Sequence, residues 1–429
     1  MKSRRISRKK GTAHGDSSSG PNNNNNTSLK VFISLITGFV IIVVFCFNDG
    51  NHIHKKKVYN DDYPYYGSGE LHTASYVPGG MHRYLEWKDG DTPYNITDDV
   101  QDHSDWLARK RRSYVKKAME HAWTGYRACA FGMDEVAPAT CVGKDIAMYG
   151  ISTTLVDSLD TLWLMGMKDE FNEARDWIVD NLKHDSDKSV STFENTIRSL
   201  GGLLAAYDWS GDKMLLEKAK DVGDRLVKAF DSPSGIPWSF INLKTGKGSN
   251  SHWNPGGTSV AEAGTLQIEF RFLAKATGIP KYAEKAEKAF DMLYELRTED
   301  GLYHTEVKNN VSPSDIGRGI SHSSITFGGS ADSFYEYMLK LWLQGGKTEQ
   351  KYRDMYDEAI EGMHNKLLQK SNSPAKLSYI AKLNGNRYVH SFGHLECFMG
   401  GECNILFAYF VSIVVHQLLF ICLTDEQLF

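Results

Sequence analysis

Between Trp106 and Gly401 two kinds of helical segment take turns, and this alternation constrains the fold more than any other property of the chain. One kind is apolar, carries small residues, and has a carboxylate near its start. Its four examples are Asp157-SLDTLWLMG, Glu194-NTIRSLGGLLAAYDWSG, Glu262-AGTLQIEFRFLAKATG and Asp332-SFYEYMLKLWLQGG. Each runs into a glycine, the usual C-terminal stop of a helix. The other kind is charge-rich: EFNEARDWIVDNL, DKMLLEKAKDVGDRLVKAF, KYAEKAEKAFDMLYEL and KYRDMYDEAIEGMHNKLL. Its apolar residues fall at i, i+3, i+4 and i+7, one buried stripe beside a solvated face. Glu262 follows Glu194 by 68 residues (262 − 194), and Asp332 follows Glu262 by 70 (332 − 262). Each step is one hairpin with its connecting loop. Helices apolar all round, alternating with half-polar ones, predict two concentric layers. Stacked hairpins bury little alone and need neighbours or closure. The expected fold class is therefore all-α, an (α/α) toroid.

The acids at the starts of the apolar helices are the unusual feature. A single acid there offsets the helix dipole, a gain of up to about 1 kcal/mol, and for any one of the four that explanation stands. Four in one repeat series, pointing to one end, suggest a shared site. Carboxylates crowded at the mouth of a ring raise each other's affinity for protons. Glycoside hydrolysis uses such a set: one protonated acid for the leaving oxygen and one ionised base for water, roughly 6.5–9.5 Å apart when the anomeric centre inverts. Further carboxylates suit a hard cation such as calcium. The loop from Asp231 to Thr258 brings Trp238 and Trp253 toward the same mouth, where aromatic faces can stack on sugar rings.

The N-terminal hundred residues read as address rather than fold. Residues 1–30 hold seven Lys or Arg and the asparagine run Asn22–Asn26. Residues 31–47, VFISLITGFVIIVVFCF, are uncharged over a length at the lower limit for a membrane-spanning helix. A cleaved signal peptide is the alternative; the long basic lead and the absence of a small-x-small site favour an anchor. The basic excess before the span puts the N-terminus in the cytosol and the bulk of the chain in the lumen, as a single-pass type II protein. Residues 48–104 are a polar stem. A formal charge of −4, with 49 basic against 53 acidic residues, argues against a dedicated nucleic-acid binder. In an oxidising lumen Cys129 and Cys141 are near enough in sequence to pair, and Asn95-Ile-Thr97 and Asn310-Val-Ser312 become glycan acceptors if exposed. No cysteine or histidine grouping has zinc spacing.

Seven stretches in order, GMDEVAP, LVDSLDTLWLMGMKDEF, FENTIRSLGGLLAAY, IPWSFINLKTG, AGTLQIEF, ADSFYEYMLKLWLQGGK and HLECFMGG, make the run from about Arg112 to Gly401 resemble glycoside hydrolase family 47. These are the class I α-1,2-mannosidases that trim N-glycans in the endoplasmic reticulum and Golgi. IPWSFINLKTG and the paired glycine after Phe398 look nearer the Golgi branch. The resemblance implies an (αα)7-like ring and high-mannose N-glycans as partners. It also implies Ca2+ as cofactor and residence in the Golgi or endoplasmic reticulum membrane. It makes Glu194 the general acid, Asp332 a member of the catalytic group, and Arg198, Glu262 and His394 substrate-binding residues. Asp134 and Glu135 match the early loop, where a loop cap is as good a reading as chemistry.

The chain departs from the pattern at Ser330, where the two branches carry arginine or leucine, and at Gly393, where one carries aspartate. Cys397 matches a family disulfide cysteine whose usual partner lies further downstream. After Gly401 the motifs stop, and with them the RPE-x-x-ES carboxylates and the threonine that binds calcium in the family. No metal-ligating residue is assigned for that reason. Residues 105–401 are thus expected to be a partial mannosidase domain with weakened catalysis, and 402–429 a divergent apolar tail. That tail reads as a mis-joined C-terminus, a second membrane span, or a core helix. The competing functional expectation is a non-catalytic, membrane-anchored protein of quality control that binds mannose glycans. An unproductive isoform without a stable fold is a third.

Overall fold

The structure, a computed structural model, describes residues 98–146, 151–252, 254–318, 323–374 and 376–401. The expected membrane anchor at 31–47, nearly all of the stem, Asn95, Trp253 and the tail at 402–429 lie outside the described residues. No helix among the described residues is long and apolar enough to cross a membrane.

The two-layer arrangement is present. After the long α1 (Asp98–Ala130), the apolar series supplies α2 (Thr153–Asp157), α3 (Leu159–Leu164), α5 (Thr192–Glu194), α6 (Gly201–Ser210), α8 (Val260–Gly264), α9 (Gln267–Thr277) and α11 (Asp332–Gln344). The amphipathic series supplies α4 (Lys168–Asn181), α7 (Lys213–Leu226), α10 (Lys281–Tyr294) and α12 (Gln350–Gly362). Inner helices α3, α6, α9 and α11 pack on one another in succession, and each pairs with the outer helix that follows it. The buried stripe of α10 is Tyr282, Ala286, Ala289, Phe290 and Leu293, spaced as its sequence demands. Gly211 and Gly278 end α6 and α9 in the left-handed region, at φ 70° and 71°. A side chain there would strain against the preceding carbonyl.

Two features differ from the sequence expectation. The chain is mostly helical rather than all-α. Among the described residues, five small antiparallel ribbons of two or three strands lie in the loops between hairpins, where buried backbone amides need partners that no helix provides. The inner helices are also interrupted near their acids. The segment expected to start at Asp157 starts at Thr153, ends at Asp157, and resumes after Ser158. Between α5 and α6 the chain takes a π-turn, Asn195–Leu200. Between α8 and α9 it breaks at Thr265 and Leu266.

The hairpins share two buried clusters, one around Leu155, Leu200, Leu226 and Phe270, the other around Phe290, Phe334, Tyr335 and Tyr352. Gly264 lets α8 approach α11: a Cβ there would stand 2.2 Å from a ring carbon of Phe334. Cys129 and Cys141 form a disulfide with Cα atoms 5.0 Å apart, which settles the pairing left open by the sequence. Cys397 is exposed.

Asp134 is a loop cap. Its fully buried carboxylate accepts the backbone N–H of Ile146 (2.8 Å), Ile151 (3.1 Å) and Thr153 (2.9 Å), and the Thr153 hydroxyl (3.1 Å). It thereby fixes the entry into α2, the helix that carries Asp157. Removing it strands several buried donors. Asp134→Ala is expected to cost about 3 kcal/mol of stability in urea denaturation. A loss below about 0.5 kcal/mol would show that the loop is held by other contacts.

Candidate active site

Each inner helix leaves backbone amides at its start that need partners outside the helix. The residues that meet this need also tie three helix starts into one rim. Ser191 ends a strand whose Cα partner is Phe240, and its hydroxyl accepts the N–H of Glu194 at 3.2 Å, capping α5. Thr192 donates its N–H to the Ser239 carbonyl (2.8 Å) and its hydroxyl to the Trp238 carbonyl (2.6 Å). The Ser239 hydroxyl lies 3.4 Å from Glu262 Oε2. Glu262 and Ser259 form a reciprocal capping box on α8, and the Thr258 hydroxyl donates to the same carboxylate oxygen at 2.9 Å. The next step runs from the Ala261 N–H to the Ser330 carbonyl at 3.0 Å. Ser330 takes φ 78°, a left-handed conformation uncommon outside glycine. The Asp332 N–H closes the series on the Gly328 carbonyl at 2.9 Å. Helix α5 packs on α8 and α8 packs on α11, so Glu194, Glu262 and Asp332 stand at neighbouring helix starts along one edge.

The charges on this rim are unequal. Arg198, one turn beyond Glu194 on the π-turn, donates Nε to Glu194 Oε2 at 2.7 Å and Nη1 to Asp157 Oδ2 at 3.1 Å. The three side chains are 18–19% exposed, so the pairs are shielded but reachable. Burial pushes Asp157 up to about 6, in spite of the guanidinium beside it. Burial likewise pushes Asp332 up to about 6, and the neighbouring Glu336 and Glu396 carboxylates add to the rise. Glu269, on α9, is lifted by burial to about 7 and accepts the Tyr337 hydroxyl at 2.6 Å. Asp157 and Asp332 therefore hold a proton more tightly than an ordinary carboxylate, and Asp157 does so while sharing Arg198 with Glu194.

The five residues singled out by sequence are not equivalent here. Glu194, Arg198 and Asp332 are half-buried on the rim. Glu262 is on the rim as well, with one oxygen, Oε2, taken up by the capping box, the Thr258 hydroxyl and the Ser239 hydroxyl. His394 is exposed at the first residue of the short turn His394–Phe398. Trp238, expected as a stacking surface, is half-buried and covered by the backbone of Gly248, where a Cβ would stand 2.0 Å from its ring. Sequence reasoning noted Asp157 as a helix-start acid and did not assign it to the site. It missed Glu396, although a lone acid among Leu395, Phe398 and Met399 was a readable signal. Among the described residues no group of three His, Cys, Asp or Glu side chains converges as metal ligands.

Because Asp332 takes up its proton more readily in the folded chain than in the unfolded one, it adds stability in acid and withdraws it as pH rises from about 4 to above 6. Asp332→Asn is expected to remove about 2 kcal/mol of the stability loss between about pH 4 and pH 7. Denaturation curves of identical pH slope for the two proteins would contradict the raised proton affinity.

The pattern of the family described as glycosyl hydrolase family 47 matches residues 118–412. The match thus continues past Gly401, where the motifs alone had ended the resemblance. The chain is 43% identical over 316 residues to mannosyl-oligosaccharide 1,2-alpha-mannosidase MNS1 of Arabidopsis thaliana, covering 73% of this chain and 54% of that protein. It is 40% identical over 301 residues to mannosyl-oligosaccharide 1,2-alpha-mannosidase IA of Sus scrofa, covering 70% and 44%. The chain spans about half the length of these relatives. The solved alpha-1,2-mannosidase from Trichoderma reesei superposes with a TM-score of 0.63 at 27% identity, over 73% of this chain and 65% of that one. With the ordered motifs, the layered hairpins and a family match over more than half of its length, the chain belongs to glycosyl hydrolase family 47.

Proposed function

We propose that this chain acts as an α-1,2-mannosidase that trims high-mannose N-glycans by inverting hydrolysis. The observation that carries the reading is the hydrogen-bonded rim that lines up Glu194, Glu262 and Asp332 at three adjacent helix starts. In the proposal Glu194 protonates the glycosidic oxygen, held at its place by the Ser191 cap and by Arg198. Arg198 in turn orients a sugar hydroxyl from its seat between Glu194 and Asp157. Asp332 handles the attacking water, with its proton affinity set near the working range of a neutral compartment. Glu262 shapes the pocket wall, and His394, being exposed, meets the glycan from the solvent side.

The wider setting belongs to the same proposal. Four hairpins form part of an (α/α) toroid of the (αα)7 kind, built on residues 105–401. The run at 31–47 anchors the protein in the Golgi or endoplasmic reticulum membrane with the stem at 48–104 in the lumen. The IPWSFINLKTG stretch leans toward the Golgi branch. The lumenal orientation is supported by the exposed Asn310 sequon and the Cys129–Cys141 disulfide. Calcium is implied by the resemblance alone: the described residues supply no ligand set for it, and no step here runs through it. The competing reading is a lectin that keeps the pocket without turnover.

Hydrolysis of a high-mannose oligosaccharide, with and without chelator, separates these readings. Mannose release by the wild-type chain is expected, with a loss of about 10²–10⁴-fold in Glu194→Gln while glycan binding persists. Binding with no release by the wild-type chain would leave the lectin. Equal release by Glu194→Gln would remove Glu194 from the acid role.

A further inference from the structure

One buried charge has no part in the reading above. Glu396 lies on the turn His394–Phe398 and is 2% exposed. Its carboxylate fills a slot with a glycine on either side. A Cβ at Gly328 would stand 2.4 Å from Oε1, and a Cβ at Gly393 would stand 2.5 Å from Oε2. Lys382 reaches in from the strand Lys382–Asn384, with Nζ 3.2 Å from Oε1. That strand pairs with Ser324–Ile325, which leads into the Gly328 turn. The Gly328 carbonyl accepts the N–H of Ala331 (3.1 Å) and of Asp332 (2.9 Å). Its own N–H donates to the Thr326 hydroxyl at 3.0 Å. A single turn thus has the Asp332 amide bonded at one side and the Glu396 carboxylate pressed against the other.

A buried carboxylate is costly unless paired, and an apolar side chain would satisfy this turn more cheaply. Its neighbours Leu395, Phe398 and Met399 are apolar already. The charges around Asp332 on the packed elements are few. Its own helix supplies Glu336, paired with Lys340. From α8 comes Glu262, bonded to Thr258 and Ser259, and from α9 comes Glu269, bonded to Tyr337. Helix α12 brings Arg353 over Trp342, ten residues further along α11. Glu396 and Glu336 are the two whose charge acts on Asp332 most directly, after burial itself. Of these, Glu396 alone also touches the turn that holds the Asp332 amide.

We infer that Glu396 is a positioning residue for Asp332, fixing the Gly328 turn that bonds the Asp332 amide and holding an acidic group beside it. Lys382 reaches the Glu396 carboxyl from the strand that pairs with Ser324–Ile325, so both sides of the Gly328 turn are braced. The inference rests on Asp332 being an active-site carboxylate. Its test reads Asp332 itself and needs no turnover, so absent mannose release would sink the hydrolase reading and leave this one standing.

The test is a pH titration of the full chain, labelled with ¹³C at the Asp and Glu carboxyl carbons and followed by NMR. In the wild-type chain the Asp332 resonance is expected to titrate near pH 6, with the Glu396 resonance moving as Asp332 takes up its proton. In Glu396→Gln the Asp332 midpoint is expected to fall by about 1 pH unit, and Glu396→Asp, which keeps the charge, is expected to restore most of it. An unchanged midpoint in a folded Glu396→Gln protein would overturn the inference. Should that variant not fold, the wild-type titration decides alone: a Glu396 resonance indifferent to Asp332 would overturn it equally.

Discussion

The need of helix starts for hydrogen-bond partners governs this molecule. An inner helix that is apolar all round has no solvent to satisfy its first amides, so the partners must come from the loops and from neighbouring helix starts. Here they come in a row. Thr192 bonds the Trp238–Ser239 segment, Ser239 reaches Glu262, Ala261 bonds Ser330, and Asp332 bonds Gly328. The rim is first of all a solution to backbone satisfaction. Glu194, Glu262 and Asp332 stand at successive helix starts because their amides are bonded there.

The carboxylates themselves differ. Glu262 accepts Thr258, Ser259 and Ser239 on one oxygen, Oε2, and so ties its helix start to the loop beside α5. Glu194 is capped through its backbone, which leaves its side chain for Arg198. Asp332 is bonded through its backbone as well, and burial with two acidic neighbours raises its hold on a proton. The π-turn after α5 places Arg198 where one guanidinium spans Glu194 and Asp157. π-turns inside helices often mark sites of this kind.

Much of this was legible beforehand. The 3.6-residue stripes and terminal glycines gave the hairpins, and the 68- and 70-residue steps gave their order, because helix period and stop signals are local. The acids were visible as a repeat. What escaped notice depends on contacts distant in sequence. The ribbons form between loops such as Ser189–Ser191 and Phe240–Asn242, whose residues carry no strong strand pattern. At the break after α8 the Thr265 hydroxyl donates to Ser333 of α11, 68 residues further on. Asp157 and Glu396 acquire meaning only once Arg198 and Lys382 arrive from 41 residues downstream and 14 residues upstream, respectively. Asp134 could be read either as chemistry or as a cap until Ile146, Ile151 and Thr153 were seen to converge on it.

The central claim is that acids from separate hairpins serve one sugar-sized site. A double-mutant cycle on glycan binding addresses it most directly. Calorimetry with a high-mannose oligosaccharide would compare the wild-type chain, Glu194→Gln, Asp332→Asn and the double variant. One shared site predicts a coupling of about 1 kcal/mol or more between the two substitutions. Effects that add to within about 0.3 kcal/mol would mean that the two carboxylates act apart, and the account would fail.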